Sequence, residues 1–344
     1  MFKRHASWIL CGLVVAAIGC TAKSGIDVSA SASSGSTDTT EAPTDNGTDT
    51  VDSSAKTIGF SAMDLANPFF QLIADTLTEH AKEQGFEVMV EDSSSDPKKQ
   101  SEHIDSFITK QVTAIVLNPC DRYSTGPAIK RANEAGIPVF TCDLQCEAEG
   151  AKIAAHVGTD NFGGGKLAGD AMIEALGESG GKVFVLHFPQ ANSCVLRVDG
   201  FKEVIEAHNN DREEGKIEIV GEQDGGGNQN AGFAAASAAI QSYPDLAGIF
   251  AINDPSGLGA YTALEQAQKI DQVTIVAFDG QKDGKQAIKD GKIYADPIQF
   301  PRKMASMTMD NIMKNLSGEE YVAVTLIPTE LYRKADAEKD PELQ

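Results

Sequence analysis

The sequence predicts an α/β protein made of two similar open parallel-sheet domains. Three observations carry this expectation. From Lys56 onward, short β-branched runs alternate with longer stretches whose apolar residues recur at helical spacing, which is the grammar of repeated βαβ units. The predicted strands are apolar on both faces, as a parallel sheet covered by helices on each side requires. The chain of 344 residues, 41% hydrophobic and 23% charged, exceeds what one compact core usually holds. It offers about five strand–helix units before residue 160 and about five after it. That count ranks two open domains ahead of a closed barrel, which needs eight units in one ring.

The N-terminus has a different character. Lys3, Arg4 and His5 precede the apolar run Trp8 to Gly19 and small residues close it, the layout of a secretory signal. The run is too short to span about 30 Å of hydrocarbon, so a polytopic membrane protein is not expected. Ala17-Ile18-Gly19-Cys20 resembles the bacterial lipobox, which makes Cys20 the expected lipidated N-terminus; an ordinary signal peptide is the alternative. Thr21 to Ala55 is rich in Ser, Thr, Asp, Ala and Gly and lacks aromatic residues, too polar to build a core. As a flexible coil it reaches roughly 30 to 35 Å, which suits a tether holding a domain off a membrane.

The folded part then reads element by element. Thr57 to Phe60 is the first strand, followed by a helix with Phe70, Ile73, Ala74, Leu77 and Ala81 on one face and Gly85 at its end. Phe86 to Val90 is a strand, Ile104, Phe107 and Ile108 mark a helix, and Ala114 to Leu117 is a strand. A further helix ends at Gly136 before the strand Pro138 to Thr141. The second half repeats the pattern with strands at Val183 to Leu186, Ile217 to Val220, Gly248 to Ala251 and Val273 to Ala277.

Candidate chemistry sits where strands end. Leu117 is followed by Asn118, Cys142 by Asp143, Ile252 by Asn253-Asp254 and Phe278 by Asp279. The carboxyl ends of parallel strands line the crevice of an open sheet. Amides that both donate and accept, beside carboxylates that accept, suit a ligand made of hydroxyl groups. The bland alternative for each is an N-cap of the next helix, for which Asn and Asp are favoured. On the loop after the first strand, Asn67-Pro68-Phe69-Phe70 sets two rings beside an amide, and rings cover the CH face of a sugar. Phe70 also fits the helix stripe, so Phe69 is the better pocket candidate.

Other function classes find little support. With 29 basic and 50 acidic residues and a net charge of −21, the chain repels polyphosphate and is not expected to bind nucleic acid. Gly163-Gly164-Gly165-Lys166 has Leu167 where a phosphate loop needs Ser or Thr and reads as a helix N-terminus. The histidines of the predicted domains are scattered, no Ser or Cys has a nearby sequence partner suggesting a base, and neither an enzyme nor a resident cofactor is expected. Met304, Met307, Met309 and Met313 lie in one predicted helix and read as packing.

At this point the residues resemble a known family. Asn67-Pro68-Phe69-Phe70, Val116-Leu117-Asn118-Pro119, Gly158-Thr159-Asp160-Asn161 with Gly164-Gly165-Lys166, Arg197-Val198-Asp199-Gly200-Phe201, Ala251-Ile252-Asn253-Asp254 and Phe278-Asp279-Gly280 follow in the order seen in ribose-type periplasmic sugar-binding proteins. These are the capture subunits of ABC importers, with the type 1 periplasmic binding protein fold. The resemblance implies a pocket in which Asn67 and Asp143 of the first domain meet sugar hydroxyls and Phe69 and Phe70 stack on the ring. From the second domain it implies Arg197, Asn253 and Asp279, with Gln299 on the crossover. The lobes implied are 56–159 with 300–328 and 160–299 with 329–336, followed by a tail at 337–344. The hinge crossings fall near Thr159-Asp160, Ile298 to Phe300 and Pro328 to Glu330.

Two positions depart from the ribose pattern. Leu144 stands where those proteins carry a sugar-gripping Arg, and Gly225-Gly226-Gly227-Asn228 replaces a loop bearing an aromatic lid. The expected ligand is therefore another monosaccharide or a polyol, or else Cys142, Gln145 or Asn228 compensates. A Cys120–Cys146 disulfide is expected from the ends of neighbouring strands and an oxidising compartment, with zinc as the rival and no metal expected. Capture by hinge closure, a monomer docking on an ABC permease of the inner membrane, and a periplasmic or outer-face location through the Cys20 anchor complete the expectation. A subunit presenting a sugar or furanosyl signal to a membrane sensor or chemoreceptor is the second reading.

Overall fold

The computed structural model describes residues 56–210 and 212–344; the signal at 1–19, Cys20 and the tether at 20–55 lie outside the described residues. In the N-terminal lobe β1 (Thr57–Ala62), α1 (Pro68–Glu83), β2 (Glu87–Asp92), α2 (Pro97–Thr109), β3 (Ala114–Leu117), α3 (Gly126–Glu134), β4 (Val139–Cys142) and β5 (Ala155–Thr159) follow in turn. The chain crosses to α4 (Asn161–Leu176), β6 (Gly181–His187), α5 (Asn192–Asn210), β7 (Ile217–Asp224), α6 (Gln229–Ser242), β8 (Leu246–Ala251), α7 (Asp254–Gln266), β9 (Thr274–Val276), α8 (Lys282–Lys289) and β10 (Ala295–Ile298). It returns for α9 (Pro301–Ser317) and β11 (Val324–Ile327), then crosses a third time to β12 (Glu330–Arg333) and α10 (Lys334–Ala337).

The two sheets run β11-β5-β4-β3-β1-β2 and β12-β10-β9-β8-β6-β7. Apart from the added edge strand the orders are the same, so β3 corresponds to β8 and β4 to β9. Every pairing is parallel except β10 with β12. Two α/β lobes of one build are thus present. In each sheet the order reverses beside the first strand, which opens a crevice at the carboxyl ends.

Local sequence explains the elements around that crevice. Asn67 caps α1 by accepting from Phe69 N at 3.0 Å, Pro68 supplies the fixed φ of the first turn, and Ile73, Ala74, Leu77 and Ala81 form the buried stripe. That stripe meets Ile58, Phe60, Val116 and Phe140 of the sheet and Met304, Met309 and Ile312 of α9 in one core, with Met307 and Met313 packed against it. The opposite face of the sheet buries Ile115 and Leu117 with Ile104, Phe107 and Ile129. In the second lobe Phe201 of α5 stacks on Phe250 of β8 with ring centroids 4.4 Å apart.

The glycine run is explained by packing. A Cβ on Gly165 would lie 2.1 Å from the carbonyl oxygen of Arg197, and one on Gly200 would lie 2.2 Å from that of Phe162. Small residues therefore let α4 and α5 approach until backbone meets backbone, which seats Arg197 at the crevice.

Two expectations are corrected. Cys120, Cys142, Cys146 and Cys194 are all free thiols, so the Cys120–Cys146 bridge is not formed. Cys120 is held at the carbonyl of Met63, whereas Cys146 lies 3.7 Å from the hydroxyl of Thr125, so the two sulfurs serve different contacts. Of residues 337–344, expected as a tail, Ala337 ends α10 and the rest is docked: Lys285 of α8 reaches Asp340 and Glu342, both at 3.1 Å, and Tyr332 donates to Asp340 at 2.8 Å. Among the described residues no helix is long and apolar enough to cross a membrane.

Candidate functional site

Between the lobes lies a cavity of about 420 Å³ whose lining includes Asn67, Phe69, Phe70, Asp143, Arg197, Asn253, Asp279 and Gln299. Asn67, Phe69 and Phe70 come from the start of α1 and Asp143 from the end of β4. Arg197 lies on α5, Asn253 at the end of β8, Asp279 just beyond β9 and Gln299 on the crossing after β10. Phe69 and Phe70 both face it, edge to face at 5.5 Å and 88°, so Phe70 serves core and cavity together. The described residues hold no cluster of His, Cys, Asp and Glu fit for a metal.

Arg197 organises the second lobe's half. It is 3% exposed; Nε donates to Asn161 at 2.8 Å, and Nη1 donates to the Ile252 carbonyl at 2.7 Å and to Asp279 at 2.9 Å. Its guanidinium lies 3.9 Å from the Phe278 ring centroid. Nη2 has no partner among the described residues. Asp279 accepts from Gln299 at 2.6 Å as well, and Gln299 in turn accepts from Thr159 at 2.6 Å. Gln299 thus ties two of the hinge crossings to the site with both ends of its amide.

The first lobe's carboxylate is in a different state. Asp143 is 4% exposed, its Oδ1 has no hydrogen-bond partner, and its backbone sits at φ 64°. Leu144 N donates to the Cys142 carbonyl at 2.8 Å, closing a three-residue turn about Asp143. Burial pushes the Asp143 carboxyl up to about 7, Arg197 opposes this and Asp279 adds to it. Its counterpart Asp279 is also at positive φ, 110°, and is likewise raised by burial against the pull of Arg197. Strained backbone at equivalent places in the two lobes aims a carboxyl at one cavity.

Asn253 is both lining and cap: its Oδ1 accepts from Ser256 N at 3.0 Å while its Nδ2 donates to the Gly227 carbonyl at 2.8 Å. Asn118 is fully buried, donates to the Cys142 carbonyl and ties β3 to β4 away from the cavity. Asp254 lines the cavity, yet its carboxyl is turned to Asp296 of β10; burial and that neighbour push it well up. A proton held on Asp254 supplies the donor that the buried Asp296 oxygens otherwise lack. Of the compensating candidates, Cys142 is fully buried and Gln145 bonds Asn192 at 3.2 Å, so neither lines the cavity; Asn228 does.

Sequence reasoning missed Phe188, which follows β6 and lines the cavity. Its ring stands 3.7 Å from where a Cβ of Gly227 would be. It thus brings an aromatic surface to the loop where the sequence has glycines. The available signal was an aromatic residue just past a strand, at His187-Phe188-Pro189.

Two lobes of one strand order, three crossings and a shared cavity define a two-lobed solute-binding protein. The chain belongs to the periplasmic binding protein family, whose domain model matches residues 58–320. Within it the chain is of ribose type. It is 33% identical over 268 residues to the ribose import binding protein RbsB of Salmonella typhimurium, covering 78% of this chain and 87% of that protein. Among solved structures it resembles a Mycobacterium smegmatis protein in complex with β-D-fucofuranose, with TM-score 0.76 at 27% identity, covering 83% of this chain and 93% of that one. A Bacillus halodurans ABC transporter solute-binding protein with bound myo-inositol aligns with TM-score 0.75 at 25% identity, covering 84% and 98%.

Proposed function

We propose that this chain is the extracytoplasmic capture subunit of an ABC importer, taking a neutral monosaccharide or polyol by closing its lobes. The supporting observation is the cavity itself. Asn67 and Asp143 face it from one lobe and Arg197, Asn253 and Asp279 from the other, with Phe69 and Phe70 beside them. Asp143 and Asp279 bring carboxyls, and the guanidinium of Arg197 is already engaged by Asp279. An anionic solute would find Arg197 already neutralised by Asp279 and the Asp143 carboxyl without a cation of its own, whereas hydroxyl groups can donate to the carboxyls and accept from Arg197 and Asn67. The similar proteins named above are a ribose import binding protein and two proteins solved with β-D-fucofuranose and myo-inositol, which agrees with such a ligand. In this reading Gln299 couples the lobes, Cys20 carries the lipid that keeps the protein near its permease, and the protein acts as a monomer.

Closure leaves polar groups of both lobes without water, so a solute whose hydroxyls match them binds and others do not. A thermal-shift panel of pentoses, hexoses, deoxysugars and polyols on the purified protein tests this. A ligand at 100 times its Kd stabilises by about 2.7 kcal/mol. A shift with one or two sugars or polyols is the expected result, and no shift with any of them would overturn the sugar reading.

A further inference from the structure

The hydroxyl of Ser193 is spent differently from those of Ser237, Ser242 and Ser306. Those three donate to the backbone carbonyl four residues back, at 2.8 to 2.9 Å, a common fate of a hydroxyl inside a helix. Ser193 sits in the first turn of α5, where that carbonyl belongs to Pro189, outside the helix. Among the described residues its hydroxyl meets only the Cys194 sulfur, at 3.9 Å, and a thiol sulfur is a weak acceptor. It does not cap α5 either, because the N–H groups of Cys194 and Val195 bond the Ala191 carbonyl at 3.1 and 3.2 Å. Ser193 is 5% exposed and lines the cavity with Arg197, which stands one turn further along the same face of the helix. A buried hydroxyl without a strong partner is unfavourable until something bonds it.

The position of Ser193 is set from across the cleft. Asn192 Nδ2 donates to Gln145 Oε1 at 3.2 Å, so the residue before Ser193 is tied to the residue after Leu144. Ser193 and Leu144 both line the cavity and thus come to the same end of it, where the leucine side chain can neither donate nor accept. Resting on the sugar-binding reading above, we propose that Ser193 is a solute-binding residue of the second lobe and that it selects a solute with a hydroxyl group facing the start of α5. Such a hydroxyl donates to the Ser193 oxygen or accepts its proton, and takes the place of the weak sulfur contact. A solute with hydrogen at that position leaves the Ser193 hydroxyl with sulfur alone and binds more weakly.

The test is calorimetric titration of the full-length protein with the compound that stabilises it most in the panel above, D-ribose, D-allose and myo-inositol included, and with the monodeoxy analogues of that compound. Ser193→Ala is expected to bind the parent compound roughly tenfold more weakly than wild type does, and so is Ser193→Cys, which keeps the side chain's shape and loses its strong hydrogen bond. For one monodeoxy analogue, wild type and both variants are expected to bind alike, because the hydroxyl that meets Ser193 is already gone. A residue that only shapes α5 would instead weaken every analogue to the same degree. Unchanged affinity for the parent compound in a folded variant, or a loss equal across all the analogues, would overturn this inference and leave the sugar reading standing. No stabilisation by any sugar or polyol of the panel would overturn both.

Discussion

Replacing Arg197 by alanine removes the group that holds the second lobe's half of the cavity together. The side chain is 3% exposed, so solvent does not screen its contacts. Three hydrogen bonds are lost, one of them to a buried carboxylate, along with the stack on Phe278 at 3.9 Å. Removing one partner of a buried ion pair typically costs roughly 3 to 5 kcal/mol, because the other charge is left in a poor solvent. Asp279 can escape by taking a proton, since burial already raises it and Arg197 is what pulls it down. That uptake is harder at higher pH, so the loss relative to wild type is larger at pH 8 than at pH 5. Urea denaturation of the ligand-free protein at both pH values reads this directly, and in a thermal melt the fall in Tm should be roughly 5 to 15 °C. Arg197→Lys should fall between, because one ammonium cannot reach Asn161, Ile252 and Asp279 in the same fork geometry. A loss below about 1 kcal/mol, equal at the two pH values, would refute the picture of Arg197 as a buried clamp.

Further outcomes follow from the same contacts. Asp143 titrates near 7 in the folded protein, above its ordinary value, so the folded state holds a proton that the unfolded state releases between about pH 4 and 7. Stability of wild type relative to Asp143→Asn should therefore fall as pH rises through that window and level off above it; a rising difference would contradict the assignment. Gly165→Ala should destabilise by about 1 to 3 kcal/mol in chemical denaturation, since its Cβ would strike the Arg197 carbonyl at 2.1 Å. Burial pushes the thiols of Cys120 and Cys142 up to about 12 and that of Cys194 to about 11. A thiol reagent on the folded protein at pH 8 should thus label Cys146 ahead of these three, and non-reducing peptide mapping should recover all four without a bridge.

Much of the fold was legible because strand and helix periodicity are local. The runs at Thr57, Ala114 and Gly248 announce buried parallel strands, and Asn67-Pro68 announces the start of α1 in two residues. The short β10, β11 and β12 were harder to read. Each has only 4 residues, and Asp296-Pro297 in β10 looks like a turn until its pairing with β12 is known. Strand-end reasoning found Asp143, Asn253 and Asp279 because carboxyl ends converge in an open sheet. It misplaced Asn118, whose side-chain nitrogen donates to the Cys142 carbonyl away from the cavity, a contact set by the neighbouring strand and not by spacing. Phe188 escaped for the same reason, since its role depends on the bare backbone at Gly227, far along the chain. The cysteine pairing failed because neighbouring strand ends do not fix where two side chains point.

In the proposed function, groups from both lobes hold one neutral, hydroxylated solute. Calorimetric titration of the best ligand from the panel into wild type, Asp143→Ala and Asn67→Ala from one lobe, and Asn253→Ala from the other, tests it most directly. The wild type should show a single site and each variant at least roughly tenfold weaker binding, as when a hydrogen-bonding group is removed from a closed site. Undiminished binding after either lobe's groups are removed, with the variants folded, would contradict it.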